Sequence, residues 1–369
     1  MADLSPQKHL TVPSWLSSGT TASEDSATSY QNALASPLHR EVWKYTPARK
    51  ILELSGLAAQ HPTLAGHQQS GVKVAQQPEA DVADIFSINR APEAFAHLCS
   101  HPLVYISVTK NLEQPLQISH NASSWPIVVD VAAGVCMTLI EEYCSDSDQQ
   151  QTVWLRVGRN AQVIHARNSL SATSQHWQFL SVQINANGCY SLHNHAVASP
   201  LRRQDTQIQL CGEGAVADLC GAAMIPERVN LDQQLTVEHL SANTTSRQKF
   251  HNIVANKGKS TFNGRIHIHV GARNSNANLS NKNIGLGADA TINTKPELEI
   301  YNDDVSCAHG ATIGQLDDDQ LFYLCSRGVS PAAARQLLCE GFLQQCVGGP
   351  LAQSAAVGLL EPLQDLAIQ

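Results

Sequence analysis

Between Leu116 and Val305 the chain offers no helix-length apolar period. Short apolar runs such as Ile127-Val128-Val129, Val153-Trp154-Leu155, Val163-Ile164, Leu180-Ser181-Val182 and Ile266-His267-Ile268 alternate there with Asn, Gly, Ser and Asp. That texture predicts many short strands. Only Asn187-Gly188 and Asn263-Gly264 offer the two-residue turn that a hairpin meander needs at most of its connections. A solenoid is therefore favoured over a sandwich. In a parallel β-helix each coil buries its inward stripe against the coils above and below, so the repeat can be weak in sequence while the core is continuous. The expected fold is mainly β, a parallel β-helix over residues 116–305 flanked by N-terminal and C-terminal helical segments.

The flanks read differently. Residues 1–36 are rich in Ser, Thr, Ala and Gln and read as a disordered tail, and 37–115 as an N-terminal helical region. In that region Thr46 is placed to cap a helix starting at Pro47 and ending near Gly56, and residues 81–103 form a second expected helix. Beyond the β region, Asp317, Asp318 and Asp319 suit the positive end of a helix carrying Leu321, Phe322, Leu324 and Cys325, with Gly328 at its exit. Ser330-Pro331 starts another, along which Ala334, Leu338, Phe342 and Cys346 recur every four residues until Gly348-Gly349-Pro350. A C-terminal helical domain over 306–347 and a tail over 348–369 complete the expected organisation.

Composition removes several function classes. A net charge of -8 with no Lys/Arg block leaves no broad footprint for a nucleic acid or an anionic membrane, and no apolar run reaches the length of a membrane span. The cytosol is the expected compartment. The ten cysteines are scattered without a C-x-x-C pair, which predicts reduced thiols and no locally written zinc or redox site. Gly258-Lys259-Ser260 lacks the upstream glycine of a phosphate loop, Ile253 standing in its place, so it reads as an ordinary turn.

Two His-x-His pairs, His193 with His195 and His267 with His269, would each project from one strand face. With no carboxylate or third ligand nearby in sequence, the plainer reading is a solvated polar face. The segment Asp303 to Ala311 stands out, because Cys307 and His309 alternate onto one side if extended. A thiolate and an imidazole together suit soft or borderline metals such as iron. A buried thiol beside a hydrogen-bonded histidine is the competing reading of that spacing.

The run from Ala290 to Val347 resembles the SufB/SufD family of the SUF iron-sulfur cluster assembly system. It carries Thr294-Lys295-Pro296-Glu297-Leu298-Glu299-Ile300, Asp303-Asp304-Val305, Cys307-Ala308-His309-Gly310-Ala311-Thr312, Gly314-Gln315-Leu316-Asp317, Phe322-Tyr323-Leu324 and Ser326-Arg327-Gly328. Upstream, Trp43-Lys44-Tyr45-Thr46 is similar to the family's N-terminal mark. The resemblance implies a right-handed parallel β-helix and a non-catalytic scaffold. Its partners would be a SufB-like paralogue, met through the β-helix, and a SufC-like ATPase, met through C-terminal helices carrying Phe322, Tyr323, Arg327, Leu338 and Phe342; a homodimer is the alternative assembly. It also implies that His309, with Cys307 beside it, faces a nascent cluster at the heterodimer interface. The isolated chain would hold no tight cofactor, a transient iron-sulfur cluster would form in the complex, and ATP would act through the partner. Where the paralogue has a Cys and a Glu, this chain has Asn281 and Gly310, which points to the SufD branch. A β-helix enzyme acting on polysaccharide or transferring acyl groups is the alternative function, and convergence of the two His-x-His pairs in a self-sufficient metalloprotein a third.

Overall fold

A computed structural model describes residues 59–76, 102–144, 146–171 and 173–366, together with Lys44, Thr46 and Leu54. The strands β1 (Thr63–Ala65), β2 (Val72–Ala75), β3 (Val104–Val108), β4 (Leu116–His120), β5 (Ile127–Val131) and β6 (Cys136–Tyr143) come first. Then follow β7 (Gln149–Val157), β8 (Gln162–Ser169), β9 (Gln175–Ile184), β10 (Cys189–Val197), β11 (Leu201–Leu210) and β12 (Val216–Ile225). β13 (Asn230–His239), β14 (Thr245–Val254), β15 (Lys259–Ile268), β16 (Ser275–Gly285), β17 (Thr291–Ile300) and β18 (Val305–Gly314) end the β region, and α1 (Asp318–Ser326), α2 (Pro331–Gln344) and α3 (Ala352–Leu366) follow.

The strands form two sheets by alternation. Even-numbered strands from β4 to β18 lie in one sheet with β1 at its edge, and odd-numbered strands from β3 to β17 lie in the other with β2 at its edge. Apart from the antiparallel pairs β1–β4 and β2–β3, neighbouring strands run parallel, as successive coils of a solenoid must. Strand partners in adjacent coils lie 23 to 32 residues apart in sequence.

A corner repeated in six successive coils, from β5–β6 to β15–β16, explains how the winding is kept in register. Gly134, Asn160, Asn187, Gly214, Asn243 and Asn274 all have positive φ, a conformation that Gly adopts at no steric cost and Asn tolerates. Each donates its N–H one coil onward: Gly134 to Arg159, Asn160 to Ala186, Asn187 to Glu213, Gly214 to Ala242, Asn243 to Arg273 and Asn274 to Asp304. Asn187-Gly188 is thus a solenoid corner and not a hairpin. Asn263-Gly264 is not a turn either, since it lies inside β15, where a Cβ on Gly264 would stand 2.4 Å from Leu279 Cδ1.

The lumen has an apolar and a polar part. Branched aliphatic side chains, among them Val153, Leu155, Val182, Ile208, Val237 and Ile266, fill the first. Through the second runs a line of amides and hydroxyls. Gln178 donates to Ser169 at 2.8 Å, Gln204 to Gln178 at 2.8 Å, Asn194 and Gln233 to Gln204 at 3.0 and 3.3 Å, and Asn252 to Gln233 at 3.3 Å. Burying such groups costs least when they are partnered, and along this line each coil supplies a partner to the next. A charged knot sits toward the N-terminal end, where buried Glu141 accepts from Arg167 Nε at 2.6 Å and from the Tyr143 hydroxyl at 2.9 Å.

Several boundaries differ from expectation. Parallel coiling begins at Val104, inside the region expected to be helical, and β18 carries it to Gly314, past the expected end at 305, because the alternation of Val305, Cys307, Ala311 and Ile313 has a strand's period. The segment 348–369, expected to be a tail, contains α3, whose Ala355, Leu359 and Leu363 recur every fourth residue and are buried. The caps of the other helices are as expected: Asp317 accepts from the Asp319 and Gln320 N–H groups, and Ser330 from that of Ala333. On α2 the buried seam runs through Ala334, Cys339 and Leu343. Helices α2 and α3 cover the outer face of the even sheet, Cys339, Leu343, Cys346, Leu359 and Leu363 packing against Val197, Ala222, Met224 and Ile253. The tail at 1–36 and the helix at 81–101 lie outside the described residues, as does the Pro47 helix except at Leu54. Thr46 itself is buried and donates its hydroxyl to Asp232 of β13.

Candidate functional site at the open end of the solenoid

Strand β18 is the last coil. Its residues pair in register with β16, Cys307 opposite Ala277, His309 opposite Leu279 and Ala311 opposite Asn281. Ala277, Leu279 and Asn281 are buried in the lumen, so Cys307 and His309 point the same way, toward the axis of the rod. Among the described residues no further coil covers them. His309 is consequently exposed and Cys307 half-buried against the end of the core. The competing reading paired a buried thiol with a hydrogen-bonded histidine; here the thiol is half-buried and the imidazole exposed. Partial burial pushes the Cys307 thiol above its usual range, the backbone at Ala277 opposing the shift, so the free side chain is protonated near neutrality.

The surroundings are open and strand-edged. Nothing lies within 4 Å of where a Cβ on Gly310 would be. β17 and β18, each of ten residues, stand at the ends of their sheets, with no strand on their outer side among the described residues. Ile300, Tyr301 and Ile313 are exposed around this end. Asn281, one coil in, is fully buried; it accepts from Thr294 at 2.9 Å and from Asn283 at 2.6 Å, and donates to the Phe250 carbonyl. Its side chain is committed to holding the lumen together and has no thiolate chemistry to offer.

The helical candidates divide into two sets. On α1 and just after it, Phe322 is 75% and Tyr323 57% exposed, with the Arg327 guanidinium over the Tyr323 ring; α1 buries none of its residues. Leu337, 50% exposed on α2, was missed by the four-residue period but belongs to the same solvent-facing apolar set. Leu338 is half-buried. Phe342 faces the other way, stacked on His251 at 4.4 Å and packed against the solenoid, and His251 Nδ1 donates to the Phe342 carbonyl at 2.8 Å.

The His-x-His pairs also separate. Buried His195 donates from Nδ1 to Asn168 Oδ1 at 2.8 Å and accepts at Nε2 from the Gly348 N–H, which pins the segment after α2 to β10. Burial pushes its pKa down to about 4, so it stays neutral. A Cβ at Gly349 would stand 2.5 Å from the His193 ring, so His193 is backed by this glycine pair. His267 and His269 lie on the other sheet, and among the described residues no metal-competent cluster joins the two pairs. Instead Glu238, which sequence reasoning missed because it is a whole coil upstream, comes beside His267 and His269.

Comparison with known proteins places the chain. The family model described as "SUF system FeS cluster assembly, SufBD core domain" matches residues 116–342. The chain belongs to the SufBD core family. It is 30% identical to the iron-sulfur cluster assembly protein SufD of Escherichia coli over 68% of this chain and 64% of that protein. It is 29% identical to the iron-sulfur cluster assembly SufBD family protein slr0076 of Synechocystis over 76% of this chain and 65% of that one. The chloroplastic protein ABCI7 of Arabidopsis thaliana is 29% identical over 58% of the chain and 47% of its own length. The chain thus spans less than two thirds of the length of these relatives. The SufBD match takes in most of the solenoid, the Cys307–His309 end, α1 and most of α2. Among the described residues no helix is long and apolar enough to cross a membrane.

Proposed function

We propose that this SufBD-family chain is a non-catalytic scaffold, SufD-like, that joins a SufB-like paralogue end to end through its solenoid and a SufC-like ATPase through its C-terminal helices. The carrying observation is the open final coil: His309 is exposed on the rod axis with Cys307 beside it, framed by two unpaired ten-residue edge strands. Edge strands of this length are templates for a further strand, and a second solenoid of the same geometry offers one for each sheet. Burial of the exposed Ile300, Tyr301 and Ile313 favours the same closure.

In this reading the nascent iron-sulfur cluster is cargo. His309 supplies an imidazole and Cys307 a thiol that becomes a good ligand once iron displaces its proton. Two ligands from one chain leave the cluster's remaining positions for sulfide and for the partner, so neither half forms it alone. Asn281 supplies no sulfur ligand, which assigns the thiolate-rich half to the paralogue. The exposed Phe322, Tyr323 and Leu337, with Arg327, form the surface offered to the ATPase, while Leu338 and Phe342 hold α2 in place behind it. Free thiols suit a reducing compartment such as the cytoplasm.

Co-expression with a SufB-like paralogue and a SufC-like ATPase, followed by measurement of stoichiometry, iron and sulfide, tests the proposal. A stable ternary complex is expected, and His309→Ala is expected to retain it while reducing cluster yield by about tenfold or more, since losing a ligand costs at least what losing an outer-shell partner does. Full cluster yield from His309→Ala refutes the role of that imidazole, and polysaccharide cleavage or acyl transfer by the purified chain refutes the scaffold reading.

A further inference from the structure

The outer face of the odd sheet carries a constellation that the cluster reading does not use. In β15, Ile266 and Ile268 point into the core, so His267 points out. His269, just past the strand end, keeps the same parity and stacks on it with ring centroids 3.9 Å apart and planes inclined by 14°. Glu238 of β13 lies opposite His267 in register, and its Oε1 is 3.7 Å from His269 Nε2. One ligand atom from each of the three residues falls within 4.8 Å of the others.

We propose that Glu238, His267 and His269 bind a divalent first-row transition metal of the zinc class. Two imidazoles and one carboxylate are a borderline donor set, and three protein ligands leave room for water. Bonds of about 2.0–2.2 Å place ligand atoms roughly 3.3 Å apart, so side-chain rotation closes the present spacing without moving the strands. The carboxylate is already oriented, since Gln209 of the preceding coil donates to Glu238 Oε2 at 3.0 Å while Oε1 faces His269. Glu299 of the following coil, 3.9 Å from His267 Nδ1 and ion-paired with Arg265, flanks the site. The ligands are reachable yet enclosed, with side-chain exposures of 11% for Glu238, 18% for His267 and 32% for His269. The site sits on the opposite sheet from β18 and does not depend on His309.

Cobalt(II) and zinc(II) titrated into the metal-stripped full-length chain test this. The Cys307→Ser/His309→Ala double variant, which lacks the end pair, should bind a single cobalt per chain with d–d absorption and no thiolate charge-transfer band, and zinc should displace it. His269→Ala and Glu238→Gln should abolish the spectrum while far-ultraviolet circular dichroism is unchanged. Gln209→Ala, which removes no ligand, should weaken binding about 10–100-fold. No cobalt uptake by the double variant, a thiolate band in it, or an unchanged spectrum when Glu238→Gln is added to it overturns the proposal.

Discussion

Glu141→Gln removes one charge from the lumen without changing its shape, and its cost follows from what surrounds it. Glu141 and Arg167 have side-chain exposures of 0% and 1%, and Nε meets Oε2 at 2.6 Å. At an effective dielectric near 20 that contact is worth about 6 kcal/mol of attraction. Withdrawing the two ions from water costs a similar amount, so the pair as a whole adds little net stability. Removing only the charge leaves the guanidinium desolvated and uncompensated, facing a neutral amide oxygen together with the Tyr143 hydroxyl and ring. The expected loss is about 3–5 kcal/mol. Replacing both, as Glu141→Leu with Arg167→Met, should recover most of it. Urea unfolding followed through buried Trp154 and Trp177 on the adjacent coils reads the difference. A single-variant loss below about 1 kcal/mol, or a double variant no better than Glu141→Gln, refutes the reasoning.

Three further outcomes are expected. Burial lowers the pKa of His176 to about 2 and of His239 and His195 to about 4, so the unfolded chain takes up these protons first; stability should hold above about pH 6.5 and fall by up to about 1.4 kcal/mol per pH unit per histidine on acidification toward pH 4. A urea midpoint unchanged between pH 7 and pH 5 contradicts that. Asn187→Ala removes the short amide side chain that lets an L-residue tolerate φ 54° and should cost about 1 kcal/mol, while Asn187→Gly should be nearly neutral; equal effects in thermal melts would show that the backbone conformation is not what the corner selects. Phe322→Asp should abolish co-purification of the ATPase without lowering the melting temperature, whereas Phe342→Asp should destabilise α2 itself; retained co-purification with Phe322→Asp rules out α1 as the docking surface.

The β-rich centre was legible because Ile127, Val153, Val163, Leu180 and Ile266 sit in runs too short for helices, and the end site because Cys307 and His309 keep a strand's alternation inside a recognisable segment. What was hidden follows from how a solenoid folds. Its neighbours are a coil apart, so Glu238 beside His267 and Thr46 beside Asp232 leave no local trace. The repeat itself was carried by Gly134, Asn160, Asn187, Gly214, Asn243 and Asn274, residues common enough in any turn that their spacing did not stand out. Helix α3 escaped because its apolar positions follow Gly348-Gly349-Pro350, a stop signal that here only begins a turn between two helices.

The stacked corners set the increments in which such a rod can change length. Because each of those left-handed residues hands its N–H to the storey above, inserting one residue on a wall throws the rest of that strand's side chains to the wrong face, whereas adding or deleting an entire storey leaves each corner seated on an equivalent one. Over generations the molecule can therefore grow or shrink only by whole floors, and the terminal floor with its histidine travels intact to whatever height the column reaches.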